Sequence, residues 1–369
     1  MPFLTEIQRI PTTGARAVEP FELESGERML AIPQLAADLP GTPDGINGGT
    51  SDTRVALYRD SPEGFVEAGF LPVGGGEDVE AFEVDGRRLL AVASIRSGSG
   101  PYDFHTASPI FEETAGDFRV VQQISTIAAK QWRAFRIGAE SFLALAQGHP
   151  AEGGASTIFR WTGDSFEPIQ QLESAAGYNV ATFQIEGITY LAHADHVAPA
   201  VLYRYEGDRF TKVQELLPSG GRAFQLVEDG DERYLFVARI DGDSLVLRWD
   251  GGRFVDPQPL PGGPGGREFA LLSTSAATYL VRVDFIHGTP ADPDPDLLSH
   301  IYRIDSGVVT TVEQFRTTGG TDVTILPGDS GIGGAGIRIA VSHGLAAQPR
   351  PGHTFAAETV IYRFDDEER

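Results

Sequence analysis

Cysteine is missing altogether from the 369 residues, which removes disulfides, thiolate nucleophiles and Cys-ligated metals from consideration. Lysine is nearly missing too: Lys130 and Lys212 stand alone, so positive charge is carried almost wholly by Arg. No apolar run approaches the roughly 18–20 residues that a membrane span needs. Nothing in the chain has the length and 3.6-residue period of an amphipathic helix. The start, "MPFLTEIQRIPTTG", has neither a basic n-region nor a long apolar h-region. As the sequence stands the cytoplasm is the expected compartment, with secretion the alternative if this N-terminus is a trimmed one. Positive charge is also scarce, and the net charge of −23 repels phosphate backbones and anionic lipid heads. Neither nucleic acid nor a membrane surface is therefore an expected partner. The chain offers no usable P-loop, G-x-G-x-x-G, G-x-S-x-G or H-E-x-x-H pattern.

What the chain has in quantity is short apolar strands joined by Gly, Asp and Asn turns, in a composition 41% hydrophobic and 22% charged. Two modules alternate. One is a hairpin around a tight turn, as in "VEAFEVDGRRLLAVAS" (79–94), "WRAFRIGAESFLALAQ" (132–147) and "VATFQIEGITYLAHAD" (180–195). The other is an aromatic–Arg strand running through an acidic turn into a second strand, as in "VLYRYEGDRFTKVQELLP" (201–218). Setting the register on the Phe of the first strand gives Phe21, Phe82, Phe135, Phe183, Phe224 and Phe269, with Leu326 in the last unit. Seven units of four short antiparallel strands read as an all-β, seven-bladed β-propeller over residues 1–369.

The last unit, about 320–369, stops one strand short. The N-terminal segment 2–12, "PFLTEIQRIPT", resembles the fourth strands "DSFEPIQQL" (164–172) and "DRFTKVQEL" (208–216), although its Phe-to-Gln spacing is one residue longer. Pairing this segment with the C-terminal blade would close the ring and remove its free edges. The stretch "YNVATFQIEGITYLAHADH…VLYRYEGDRFTKVQELLPSGG" (178–221) resembles an EAR repeat, also called EPTP. That family forms a seven-bladed propeller, as in the C-terminal domain of LGI-type proteins. The resemblance implies a protein-recognition module.

If the strands of a blade are lettered A to D outward from the axis, the A–B and C–D turns are short and share one face. The B–C connections, at 34–53, 94–106, 284–299 and 342–358, are long and lie on the other face, with the D–A connections. Long loops on a rigid scaffold are where binding sites are usually carried. All eight histidines, His105, His149, His193, His196, His287, His300, His343 and His353, fall in strand-B ends, B–C loops or the first residues of C strands. Mixed aromatic and charged stretches, "SGPYDFH" (99–105) and "KQWR" (130–133), offer Tyr102, Phe104 and Trp132 as anchors for a protein, glycan or small-molecule ligand. A ring two residues before the register Phe reads Glu19, Glu80, Arg133, Ala181, Arg222, Arg267 and Thr324. Its Arg forks suit a carboxylate or phosphate ligand, and the alternative is a salt-bridged collar that locks blades together.

Four residues before the register Phe stand Asp78, Gln131, Asn179 and Asp322. Hard oxygen ligands of this kind suit Ca²⁺, with Asp78, Asn179 and Asp322 the candidate metal ligands; the alternative is that they cap the turn into the strand. In LGI-type propellers Asp residues near the axis hold a Ca²⁺ ion, and Asp78 and Asp322 match them. "HADH" gathers His193, Asp195 and His196. Together with Glu80 these are the candidates for an acid/base or metal-assisted active site at the channel mouth, the alternative to a pure recognition module.

Overall fold

The computed structural model describes residues 3–42, 45–275, 277–326, 336–347 and 352–366. Seven four-stranded antiparallel sheets follow one another around an axis, and their A strands are Glu19–Glu22, Gly76–Val84, Gln131–Ile137, Gly177–Ile185, Gly221–Asp229, Gly266–Ser273 and Gly320–Leu326. The chain is therefore a seven-bladed β-propeller, as its strand pattern predicts. The only helical piece among the described residues is one 3₁₀ turn at Gly45–Asn47, and none of their helices is long and apolar enough to cross a membrane.

Local chemistry makes the hairpins. In the second and fourth blades the A–B turn places Asp85 (φ 51°) with Gly86 (φ 76°), and Glu186 (φ 53°) with Gly187 (φ 78°). Two consecutive positive φ angles match the right-handed twist of the flanking strands. The B strands are nearly continuous apolar runs, such as Leu89 to Ala93 and Leu143 to Ala146, because they are covered on both faces by neighbouring blades. The core is accordingly a set of clusters lying between blades, one of which joins Ile185, Tyr190 and Leu202 to Leu235, Trp249 and Phe254.

Ring closure follows the expected route. Leu4–Thr13 pairs antiparallel with Ala356–Phe364 and becomes the outer strand of the seventh blade. Pro2, at the start of the segment assigned to this strand, lies outside the described residues, as does part of the 342–358 loop. A register shift between Glu6 and Gln8 accounts for the extra residue in the terminal Phe-to-Gln spacing. The bulge absorbs it and returns Gln8 to its place.

That place recurs around the ring. At four junctions the Gln of one D strand grips the backbone of the Phe that begins the D strand of the next blade. Gln122 Nε2 donates to Phe166 O at 2.8 Å and its Oε1 accepts from Phe166 N at 2.9 Å. Gln170 does this to Phe210, Gln214 to Phe254, and Gln8, across the closure, to Phe65. Between the sixth and seventh blades Glu313 Oε2 accepts from Phe3 N at 2.6 Å. The closure is further fixed by Arg338 of the seventh blade, which forks onto Asp60 of the first at 2.6 and 3.1 Å with both side chains buried. By contrast the repeated C-strand Arg residues make exposed pairs with unrelated acids, such as Arg160–Glu140 at 3.4 Å, which contribute little.

Ile10, buried at 2% exposure on the closing strand, packs with Leu30, Ile32, Ala340 and Ile361. Ile10→Ala should lower the unfolding free energy by about 2–5 kcal/mol. The exposed Val66→Ala should stay within about 0.5 kcal/mol of wild type. Denaturant midpoints for the two variants check this; equal effects would mean that the ring does not depend on its closing strand.

Candidate functional site

The A strands line the axis, and the residue two places into the strand sets what the channel mouth presents. In register that position is Arg16, Glu77, Lys130, Tyr178, Arg222, Arg267 and Thr321. The register places Arg222 and Arg267 beside Glu77 rather than beside Glu80, so the single collar expected from the sequence is in fact two layers. Gly221 faces Arg239 as Gly177 faces Asp195, so the partner of Phe183 in the fifth blade is Val227, not Phe224. In the sixth it is Leu272, not Phe269. A glycine or alanine stands immediately before each of the channel-mouth positions (Ala15, Gly76, Ala129, Gly177, Gly221, Gly266 and Gly320), because the chain passes close to the preceding blade there. A Cβ on Gly177 would sit 2.1 Å from Ser156 Oγ, and one on Gly266 2.4 Å from Ser244 Oγ.

The upper layer floors a funnel of about 580 Å³ on the face of the B–C loops. Its walls are apolar and come from those loops: Leu35, Ile46, Ile95, Phe104, Phe285 and Ile286. The loops brace one another across the opening. Ile46 N donates to Pro290 O at 3.0 Å, so the loop of the first blade reaches that of the sixth. Arg96 lies over the Tyr102 ring at 3.8 Å and donates to Gly48 O at 2.7 Å, while Tyr102 Oη donates to Gly49 O at 2.7 Å.

The floor is predominantly cationic. Glu77 accepts from Arg267 Nη2 at 3.1 Å, and Arg16 Nε lies 3.2 Å from its other oxygen without hydrogen-bond alignment. Burial alone would raise the Glu77 carboxyl, but Arg16 and Arg267 outweigh it and hold it below its ordinary value. Arg267 also donates to Thr321 O at 2.8 Å and to the Tyr178 hydroxyl. Arg222 stacks over Tyr178 at 4.3 Å and bonds His196 Nδ1 at 2.9 Å, and its buried Nε has no hydrogen-bond partner. Burial brings the Lys130 ammonium down to about 8.

Beneath lies an acidic layer of Glu19, Asp78, Glu80, Glu268 and Asp322, with Arg133, Gln131 and Asn179 among them. Each acid reaches for backbone. Asp78 Oδ2 accepts from Trp132 N at 2.8 Å, Asp322 Oδ2 from Val18 N at 2.7 Å, Glu19 Oε1 from Ala81 N at 3.0 Å and Glu80 Oε1 from Ala134 N at 2.8 Å. These bonds stitch the A strand of the seventh blade to that of the first, the first to the second and the second to the third. Burial first, and mutual repulsion second, raise the carboxyls of Glu19, Asp78 and Glu268, the last to about 8. Burial also raises Glu80 and Asp322. Arg133 Nη1 lies 3.6 Å from Glu80 and belongs to this lower layer, apart from Arg222 and Arg267. Asn179 Nδ2 faces Glu268 Oε2 at 3.4 Å. Among the described residues no three His, Asp or Glu side chains form a group that could hold a metal ion.

The remaining sequence candidates separate. Phe104 lines the funnel, stacked on His149 with ring centroids 4.2 Å apart. Trp132 is not a surface anchor: it is fully buried between blades, tilted against Phe159. Tyr102 spends its hydroxyl on a neighbouring loop rather than on the funnel. "HADH" is divided. His193 is buried against the third blade with Nε2 2.9 Å from Ser156 Oγ, and Asp195 accepts four backbone N–H bonds, from Ala175, Ala176, Val197 and Ala198. Those bonds hold the Asp195 carboxyl below its ordinary value against burial. Only His196 reaches the funnel, so His193, Asp195, His196 and Glu80 do not converge on one site. Lys130, Glu77, Arg16 and Tyr178 were not picked out from the sequence; counting from the small residue at the start of each A strand would have found them.

Residues 117–162 and 209–250 match the family model of the EPTP domain. Each stretch runs from a D strand through the A, B and C strands of the next blade. These two stretches of the propeller resemble EPTP repeats. Each matched stretch is thus offset by one strand from the blade. A Mus musculus protein, thrombospondin-type laminin G domain and EAR repeat-containing protein, is 30% identical over 122 residues. The match covers 32% of this chain and 17% of that protein. Solved propellers share the fold at low identity. BBS1N in complex with ARL6DN superposes with a TM-score of 0.59 at 12% identity, covering 99% of this chain and 98% of that one. Saccharomyces cerevisiae Sqt1 gives 0.59 at 9% identity, covering 99% and 100%.

Burial brings His193, His196 and His343 down to about 4. Unfolded imidazoles take a proton near 6.5, so the stability these groups confer is present above that pH and is lost as pH falls from about 6.5 through about 4. His193→Gln keeps a polar group toward Ser156 but cannot titrate. Its denaturation midpoint should fall less steeply than wild type between pH 7 and pH 5; an unchanged slope would show that His193 is not a source of the acid sensitivity.

Proposed function

We propose that this propeller is a recognition module that captures a partner protein on the face of its B–C and D–A loops. The observation that carries the reading is the funnel: a concave, apolar-walled opening braced by loops of different blades and floored by fixed polar groups, the form that ligand sites take. Family members generally act as protein-interaction modules, which agrees. The enzyme alternative has no such support, since its four candidate residues, His193, Asp195, His196 and Glu80, point into four different surroundings.

A photo-crosslinking residue placed at Leu39 or Val197, both exposed on the loop face, should trap the same protein in each case. One placed at Ile188 or Val308, exposed at the short turns of the opposite face, should not. Equal trapping from both faces, or trapping from the turn face alone, would overturn the assignment.

A second reading concerns the acidic layer. A hard cation such as Ca²⁺ would offset the burial, and at Asp78 and Glu268 the repulsion, that raise these carboxyls, and Asp78, Asp322, Glu268 and Asn179 offer oxygen of the kind it takes. Their spacing encloses no complete shell, so a bound ion would rely on water for much of its coordination. Millimolar Ca²⁺ should raise the melting temperature of the wild type and should do so much less for Asp78→Asn combined with Asp322→Asn. An identical response in the two proteins removes the cation reading.

A further inference from the structure

We infer that the funnel binds an organic carboxylate carried on an apolar body, with the carboxylate directed at Arg222 and the apolar part against Phe104, Ile46 and Phe285. This deepens the recognition reading and rests on it. Three observations carry it. The first is charge: Arg16, Arg96, Lys130, Arg222 and Arg267 line the funnel against two acids, Glu77 and Asp241, an excess of 5 − 2 = 3 positive charges in a chain of net −23. Basic groups so concentrated in an acidic protein call for an anion, and buried cations left unpaired are costly.

The second is an unused donor. Arg222 is only 5% exposed and its Nε has no hydrogen-bond partner, although Nη1 is occupied by His196 and Gly221 O. A buried N–H without a partner carries the full cost of lost hydration, which a carboxylate oxygen would remove. The other cations are largely committed: Arg16 is ion-paired with Glu77 at 3.2 Å although its Nε makes no aligned hydrogen bond, Arg96 is held by Ser51, Asn47 and Gly48, Lys130 by Ala128 O and Gly148 O, and Arg267 by Glu77, Tyr178 and Thr321. They set the field, and Arg222 is left to make the contact. The third is the wall. Phe104 stacked on His149, with Phe285, Ile46 and Ile95, makes a rigid apolar surround too large for an inorganic ion alone. Glu77 in the floor further disfavours a doubly charged headgroup over a singly charged one.

Two sources carry this chemistry, a free apolar acid or the C-terminus of a partner protein, and calorimetry separates them. Decanoate, 1-decanol, decyltrimethylammonium, and an acetylated Leu-Leu-Phe peptide as free acid and as amide would each be titrated into the full chain. Decanoate or the free-acid peptide should bind one to one, at least about tenfold more tightly than the alcohol or the amide, since a hydrogen bond to a charged group is worth about 1.5–3 kcal/mol. Arg222→Gln should remove that preference while leaving the melting temperature near wild type; should that variant not fold, Phe104→Ala must weaken the acid on its own. The better of the two acids identifies the source. Equal binding of acid and alcohol, preference for the ammonium, or no binding of either acid would overturn the inference. Crosslinking from Leu39 and Val197 persisting in that case would leave partner recognition intact, and its loss as well would remove both.

Discussion

The strand that closes the ring is the constraint on which everything else rests. Each blade exposes an outer edge and two apolar faces, and no blade can bury them alone. Leu4–Thr13 joins the two ends of the chain into the seventh blade, and the Gln-to-Phe clamp is kept at the closure. Such a clamp is reciprocal: one side-chain amide satisfies both the N–H and the C=O of a strand-edge residue. At the one junction where a carboxylate replaces the amide, Glu313 accepts two backbone N–H groups, from Phe3 and Leu4, and the loss of the donor is matched by an extra accepted bond. The geometry of the axis depends on this circle, because the A strands are spaced by the blades behind them.

The acid layer in the channel is the inner counterpart of the outer clamps. Asp78, Glu19, Glu80 and Asp322 each accept from a backbone N–H of the following blade, as does Gln131 from Val180 N at 2.6 Å. Where the chain uses Gln the link carries no charge, and where it uses Asp or Glu burial first, and at Glu19, Asp78 and Glu268 mutual repulsion second, raise the proton affinity. Retaining acids where an amide would serve is a departure from the uncharged solution adopted on the outer rim.

Much of this was legible in the sequence, and the part that was not has a definite physical origin. Seven blades, the offset closure and the loop-bearing face follow from the alternating strand pattern, from turns such as Asp85-Gly86 and from the Phe–Gln motif. The charge layers were misread because Phe224 and Phe269 stand three residues earlier in their strands than Phe183 does. An odd shift moves every side chain to the other face, so Arg222 and Arg267 were grouped with Arg133 and Glu80. Aromatic identity is a poor ruler in a strand, where many positions accept a large apolar group. The small residue at the strand start is a better one, since the close approach of the preceding blade admits little else at Gly177 or Gly266. Trp132 was misjudged for a related reason: neighbouring Lys and Arg made a core residue look like part of an exposed patch, when it lies in the alternation that faces the adjacent blade. "HADH" packs His193, Asp195 and His196 into four residues, yet strand alternation and a loop turn send them to three surroundings.

The two layers together also order charge along the axis. The upper cations stand toward the B–C loops, and five acids with Arg133 among them lie one layer further down. Burial is the first cause that raises those carboxyls, Glu268 to about 8, so the lower layer holds less negative charge near neutral pH than its residue count suggests. The upper arginines have no such compensation, because a guanidinium stays charged. The contrast along the axis follows from strand position: counted from the small residue that begins each inner segment, the second place gives Glu77, Arg222 and Arg267, the third Asp78, Glu268 and Asp322, and the fifth Glu19, Glu80 and Arg133.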